Sequence, residues 1–466
     1  MSIRSPLCSV FFAAFLLPAI DAHANTLLVT TGQDSYDGQC DAHCSLRDAV
    51  TIANQTPGLS TIQLPPGNVV LSQPSALDEQ QRISEDQDNR TGDLDVFGEL
   101  HIVGSSVGLS RIRYAAGDRL IEVASSGQLT LENLTLEGGT TAFEGGALKN
   151  QGQLLLRNVL LTNNWAYEPL LPDPRSHAYG GAIANYGMLT ILASTFRANV
   201  ANIYVGSNRS LGGAIYNVGN LLVRDSLFRD NSTSAEGAVL YNTGSARIER
   251  SYLSRNAAYG VSGGAIVNEG GVLTLSNSTL NANWGGVLNN GGGDDPSRHS
   301  KAILNHVTIT RNPPRPASEL ASREVLLNWS ELLIRNSVIA GNASLLTDNG
   351  VVTGYEIANC ANLGNSFSYQ AIGLLRNDEQ SNCRADLYVT LKQTFTQVLS
   401  PTPTQHTSTN WTHDLLPGSP AIDAAIGDCP DHDQRGAPRP QDGNGDGVAI
   451  CDLGAFELGA IEPTVQ

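Results

Sequence analysis

The side chains best suited to chemistry lie where a repeated pattern is interrupted. Asp294 and Asp295 stand with Arg298 and His299 in one inserted stretch, and Asp173, Arg175 and His177 stand in another. Carboxylates beside imidazole and guanidinium groups can hold a polar ligand, or move a proton where the spacing closes up. Tyr167, Tyr179, Tyr204, Tyr259 and Trp284 lie in the same class of segment. Their flat faces suit stacking on sugar rings, although such residues also serve to cover an apolar edge. The ligand-binding set read from the sequence is Tyr167, His177, Tyr204, Trp284, Asp294, Asp295 and His299.

Metal chemistry has two openings. Asp442-Gly443-Asn444-Gly445-Asp446-Gly447 puts oxygen ligands at positions one, three and five and glycine at six, as a calcium loop begins. Position twelve is Leu453, where an EF-hand needs glutamate. Asp442, Asn444 and Asp446 are therefore calcium candidates within a turn that Gly and Asp would form unaided. Cys40, His43 and Cys44 offer a zinc half-site, but no second ligand pair lies nearby. Cysteines at 40, 44, 360, 383, 429 and 451 remain once Cys8 is set aside in an export signal, and an even number in an exported chain favours disulfides. Six cysteines allow fifteen pairings; sequence order suggests Cys40–Cys44, Cys360–Cys383 and Cys429–Cys451.

These residues must be positioned by a repeat that fills residues 144–342. Gly180-Gly181-Ala182-Ile183-Ala184-Asn185 returns as Gly212-Gly213-Ala214-Ile215-Tyr216-Asn217 and, with variation, at Asn150, Asn242, Asn268, Asn290 and Asn328. A second asparagine follows 14 residues later in five copies, as from Asn185 to Asn199, and 15 later from Asn268 to Asn283. Only Asn290 to Asn312 is longer, at 22. The return to the next copy varies from 7 to 21 residues. A constant arc with variable returns marks a solenoid, whose units bury their apolar faces only against neighbours. Apolar bursts of three to five residues between Gly and Asn are too short for helices. The fold class expected is all-β: a single-stranded right-handed parallel β-helix with an N-terminal capping helix and a C-terminal cap. Stacked at about 4.8 Å, the asparagine amides would bond from coil to coil, and asparagine also tolerates left-handed turns.

Within this frame the arginines fall into outward columns. The seventh residue after each first asparagine gives Arg157, Leu192, Arg224, Glu249 and Arg335; the twelfth gives Thr162, Arg197, Arg229, Ser254 and Ala340. A uronate lyase needs a base and a cation for the developing enolate, and a glycoside hydrolase needs two carboxyls. No carboxylate cluster stacks beside these columns, so solvated outward positions are the simpler reading. Three or more carboxylates converging beside an arginine would reverse that preference in favour of an enzyme. With 45 acidic against 28 basic residues, nucleic acid and anionic membranes are poor partners.

Residues 1–24 read as a cleaved export signal, with Arg4, an apolar stretch from Leu7 to Ile20 and Ala22-His23-Ala24. The stretch is too short for a comfortable membrane span. Ser45 can cap a helix whose Leu46, Ala49, Val50 and Ala53 share one face, with Asp48 completing a short capping box. Such a helix would close the first coil. His101–Val103, Arg111–Tyr114, Leu120–Val123 and Leu129–Leu136 read as strands of early coils, and residues 75–93 as an acidic loop.

Cys40-x-x-x-Cys44-Ser45-Leu46-Arg47-Asp48-Ala49 resembles the CSLREA motif of exported bacterial β-helix proteins, with Asp where that family usually has Glu. Gly92-Asp93-Leu94-Asp95-Val96 recurs there too. Leu416-Pro417-Gly418-Ser419-Pro420-Ala421-Ile422-Asp423, Asp433-Gln434-Arg435-Gly436 and Cys451-Asp452-Leu453-Gly454-Ala455-Phe456-Glu457 are similar to its choice-of-anchor Q ending. The resemblance implies a pectin-lyase-like fold across nearly the whole mature chain. Ten mostly polar or small residues follow Phe456, in place of the family's hydrophobic anchor.

The expected organisation is a signal at 1–24, an N-terminal cap at 25–60, a β-helix at 61–411 and a C-terminal cap at 412–466. The expected protein is a secreted or cell-surface monomer without catalytic activity, binding a polysaccharide or cell-surface glycan along the variable side, with calcium its one candidate cofactor. The alternative is a pectate-lyase-like polysaccharide lyase, or a glycoside hydrolase, acting on an acidic polysaccharide.

Overall fold

The computed structural model describes residues 25–75, 88–115, 117–167, 177–202, 210–260, 263–291, 299–313, 324–348, 351–364, 369–377 and 382–461. Tyr204, Asp294, Asp295 and most of the acidic loop before Asp88 lie outside them. The fold is a parallel β-helix.

One coil explains the rest. Ile183–Asn185 forms a three-residue strand, Tyr186 and Gly187 turn the chain, and Met188–Leu192 runs along the next face. Ala193 then bends the backbone at φ 48°, Thr195–Arg197 follows, and Ala198 bends it again at φ 54°. Val200–Asn202 closes the described part of the coil. Each strand pairs in parallel with its counterpart one coil on, so Ile183, Ala184 and Asn185 face Ile215, Tyr216 and Asn217. Stacking builds a ten-stranded sheet of asparagine triplets, a broad twenty-stranded sheet and a short five-stranded sheet. Alternate side chains such as Leu189, Ile191, Phe196 and Phe228 point inward and are buried, the two phenylalanine rings stacking at 4.7 Å. The expected strand Leu129–Leu136 is two strands, Gln128–Glu132 and Thr135–Glu137, because Asn133 bends the chain at φ 57°.

The paired glycines have separate duties. Gly212 lies at φ 73°, where a side chain would strain the backbone and its Cβ would strike the Ile215 carbonyl. Gly213 has ordinary geometry, but a Cβ there would meet the Ala238 carbonyl of the next coil.

Both asparagine series form ladders. From Asn150 through Asn185, Asn217, Asn242, Asn268, Asn290 and Asn328 to Asn362, each Nδ2 donates to the next Oδ1 at 2.6–2.8 Å. A second ladder runs from Asn164 to Asn377 at 2.6–3.1 Å. The insertion between Asn290 and Asn312 interrupts neither. The left-handed turn, however, belongs to the residue before the second asparagine: Asn163, Ala198, Asp230, Arg255, Ala282 and Arg311 all have positive φ. Ladder asparagines keep ordinary backbone geometry and contribute their amides.

Leu46–Gln55 is the N-terminal helix, its first amides capped by Ser45, which accepts from the Asp48 N–H at 3.0 Å. Leu46, Ala49, Val50 and Ala53 are buried as expected, and Asn54 bonds the Asp95 carbonyl and the Phe97 N–H of an early coil. Arg47 is also buried. Its guanidinium grips Asp34 at 2.7 and 3.1 Å and donates to the carbonyls of Asn89, Thr91, Gly92 and Asp93.

The C-terminal residues return along the flank of the later coils. The Trp411 ring lies over Tyr252, Thr279 donates to Gln434 at 2.6 Å, and the Ala455 N–H donates to Thr308 at 3.0 Å. Arg335 pairs Asp428, and the Gly454 N–H reaches the Asn336 carbonyl. Val338, Val398, Leu415, Ile422, Leu453 and Phe456 make a second small core there. Cys40–Cys44, Cys360–Cys383 and Cys429–Cys451 are disulfides, which removes the zinc reading and fits an oxidising compartment. No helix of the described residues is long and apolar enough to cross a membrane.

Candidate functional site

The middle residue of every asparagine triplet points outward, because its neighbours point into the core and into the ladder. Register places Asp95, Glu122, Lys149, Ala184, Tyr216, Tyr241, Val267, Asn289 and Leu327 in one column, about 4.8 Å apart. From Lys149 to Leu327 this position is the x of Ile-x-Asn or Leu-x-Asn, which looks variable, whereas Asp95 and Glu122 precede Val96 and Val123. The register brings these residues into one column, in which Lys149 and Tyr216 are half-buried and the others buried.

Toward the N-terminal end the column is charged. Arg119 is nearly buried, pairing Asp93 at 2.7 Å and Glu122 at 2.9 Å, and Lys149 meets Glu122 at 3.1 Å. Asp118 accepts the Arg119 N–H at 2.7 Å and a hydrogen bond from Ser75. Three carboxylates beside an arginine are what an enzyme reading asks for. Yet two of them grip the guanidinium itself, which holds it protonated and unable to act as a base.

Burial, together with the nearby Asp93 charge, raises the Asp118 carboxyl from 3.8 to about 6. The folded state then holds this proton more tightly than the unfolded chain does. The contribution to stability is full below about pH 4 and is lost as pH rises through about 6. Asp118→Asn keeps the Arg119 bond and removes the titration. It is expected to match the wild type at pH 4 and exceed it at pH 8 by up to about 2 kcal/mol in urea unfolding. A variant no more stable than wild type at pH 8 would refute this.

The central part is aromatic. Tyr179 stacks on Tyr216 with ring centroids at 4.5 Å, and Tyr216 on Tyr241 at 5.9 Å. Tyr186 meets Tyr216 edge-on at 6.2 Å, and Tyr241 donates to Glu269. Burial, reinforced by neighbouring Tyr179 and Glu144, pushes the Tyr216 phenol to about 12, so the stack carries hydroxyl donors at any ordinary pH. Glu144 joins the two zones. It meets His177 at 3.2 Å and accepts from Tyr186 at 2.7 Å, and Lys149 is close enough to act on its charge. Burial opposes ionisation of Glu144, but the bonds from His177 and Tyr186 outweigh it and hold the carboxyl below its usual range.

Of the residues expected from sequence that lie among those described, His177 and Tyr179 join this group. Tyr167 is exposed on the short sheet, and Trp284 is exposed in the same sheet's Trp165 column, four coils on. About 19 Å separates those coils, too far for one ring stack. His299 is exposed and approaches Glu331, which Lys301 already pairs at 2.7 Å. Asp442, Asn444 and Asp446 lie in an exposed turn and accept its own amides, Asp442 from Gly445 at 2.7 Å and Gly447 at 2.8 Å. Among the described residues no group of three or more His, Cys, Asp or Glu is placed to hold a metal ion. Three arginines of the columns are paired: Arg224 with Glu249, Arg335 with Asp428 and Arg229 with Asp230.

No protein-family model matches the chain, and no curated protein matches it. Among solved structures a PL6-family alginate lyase, AlyGC, is similar at a TM-score of 0.31 and 11% identity, over 83% of this chain and 55% of the lyase. At that level the likeness bears on neither site nor activity.

Proposed function

We propose that this is an exported β-helix protein that binds an extended glycan along the outward face of the triplet sheet, without cleaving it. The Tyr179–Tyr216–Tyr241 stack carries this reading: the rings cover one another's faces, so the row presents ring edges and hydroxyls at fixed spacing on a rigid sheet, suited to bonding sugar hydroxyls. Glu144, Glu269 and Lys149 border it with hydrogen-bonding groups. Carboxylates outnumber bases on this face, with Asp93, Asp118, Glu122, Glu144 and Glu269 against Arg119 and Lys149, so neutral sugars suit it better than acidic ones. Calcium has no part in this reading. The CSLREA-like and choice-of-anchor Q-like motifs and the export-signal pattern at 1–24 support secretion or display at the cell surface, of a β-helix whose caps meet it at 60 and 412 in this reading.

Tyr216→Ala with Tyr241→Ala is expected to weaken binding of a neutral β-glucan or mannan oligosaccharide at least tenfold by titration calorimetry. Arg157→Ala, on the other arm, is expected to leave it unchanged. Equal losses from both would place the site elsewhere. The second reading is cleavage by a lyase or hydrolase, and one observation favours it: Glu144 held between His177 and Tyr186 beside Lys149. New reducing ends or unsaturated products that vanish with Glu144→Gln would establish it.

A further inference from the structure

A cavity of about 530 Å³ opens on the opposite arm of the coil, between the broad sheet and the returning C-terminal segment. Asn158, Thr195, Ser408 and Thr409 line it with polar groups, and Arg197, Arg229 and Arg255 bring three guanidiniums against one carboxylate, Asp230. Asp230 pairs Arg255 at 2.9 Å and Arg229 at 3.5 Å. Arg197 is exposed and has no ion pair among the described residues. The lining therefore carries a net positive charge in a chain whose formal charge is −17.

Elsewhere on the broad sheet, charged groups that face each other across neighbouring coils are of opposite sign. Arg113 faces Glu137, Arg224 faces Glu249 and Lys301 faces Glu331, each within ion-pairing distance. Arg197 and Arg229 break the rule, for they are direct partners in the ladder. Like charges opposite one another on adjacent strands destabilise a sheet. Asp230 relieves only the Arg229 side. An oxyanion between the two guanidiniums would relieve both, since each presents a planar fork matched to carboxylate or sulfate.

We propose that this cavity binds a sugar residue carrying a sulfate or carboxylate group. The anion is gripped by Arg197 and Arg229, with the ring against Leu160 and Leu227 and its hydroxyls near Asn158 and Thr409. The volume accommodates one or two sugar units. The site is independent of the tyrosine face and of opposite charge preference, so one chain can engage two kinds of glycan or two parts of a mixed one.

The experiment is calorimetric titration of the full mature chain with three tetrasaccharides: a sulfated galactan, an oligogalacturonate and cellotetraose. At least one charged probe is expected to bind, and the two separate a sulfate from a carboxylate preference. Binding is expected to weaken at least tenfold in Arg197→Ala with Arg229→Ala, and less in the paired lysine variant, which keeps charge but loses the fork. Raising sodium chloride from 50 to 500 mM is expected to weaken it further, and Tyr216→Ala with Tyr241→Ala is expected to leave it intact. Failure of both charged probes, cellotetraose binding that is lost in the double alanine variant, or survival of charged-probe binding in that variant would overturn the proposal. So would a single-stranded oligonucleotide that outcompetes them with the same arginine dependence.

Discussion

Replacing Asn217 with leucine is expected to destabilise the central coils by about 3 kcal/mol. Its Nδ2 donates to Asn242 at 2.7 Å, to the Gly219 carbonyl at 3.1 Å and to the Ser245 carbonyl at 3.2 Å, while its Oδ1 accepts from Asn185 at 2.6 Å. All of this is fully buried. Leucine has similar volume and leaves no large cavity, so the loss is polar. One donor bond of Asn185 and the acceptor of Asn242 are left without water, each at about 1–3 kcal/mol. The thermal midpoint is expected to fall, and amide exchange to quicken in the coils on either side of Asn217. An unchanged midpoint would mean that the ladder contributes nothing beyond packing.

Arg47→Met is expected to cost more, about 3–5 kcal/mol, because it removes one partner of a buried pair and leaves the other charged. Asp34 would keep only the amides of Ser72 and Gln73, at 2.6 and 2.8 Å. Four carbonyls between Asn89 and Asp93 would lose their donor. Arg47→Lys is expected to recover less than half, since an ammonium cannot reach Asp34 through two bonds and the carbonyls through others. Proteolysis after mild warming is the readout: the Arg47→Met chain is expected to be cut first within residues 25–75. Cleavage at the same rate as wild type would show that the helix holds without this arginine.

Much of the scaffold was legible because backbone constraints recur at fixed intervals. A 14-residue spacing cannot arise from scattered turn asparagines, and it led directly to both ladders. The cap helix was legible from Ser45 and its apolar face, and the disulfides from sequence order. What Arg47 does was not, because its partners are carbonyls, and a carbonyl has no sequence signature. The left-handed turns were misassigned for a related reason. Asparagine's tolerance of that conformation drew the reading to Asn199, whereas Ala198, beside it, adopts it. The proposed face was legible in part, through His177 and Tyr179. Large aromatics in variable returns drew attention to Tyr167 and Trp284, but those segments land on different coils of the short sheet. Tyr216 and Tyr241 sat inside the repeat itself, and only alignment of its copies by register shows that they are neighbours. Had the x of Ile-x-Asn been read down the column, Lys149, Tyr216 and Tyr241 would have stood out together.

Solenoids gain and lose units readily over evolutionary time, because each unit answers only to its neighbours. The returning C-terminal segment withdraws that freedom from one half of this molecule. It bonds or stacks with four successive coils, at Tyr252, Thr279, Thr308 and Asn336, and shares a second small core with the last of them through Val338. Removing or adding a coil in that span would put every later contact about 4.8 Å out of step. The segment thus acts as a ruler, counting the coils it lies along. Before Tyr252, where the tyrosine face lies, the segment meets the coils only across the cavity that Ser408 and Thr409 help to line, so the molecule can vary the length of that surface more readily than that of the measured half.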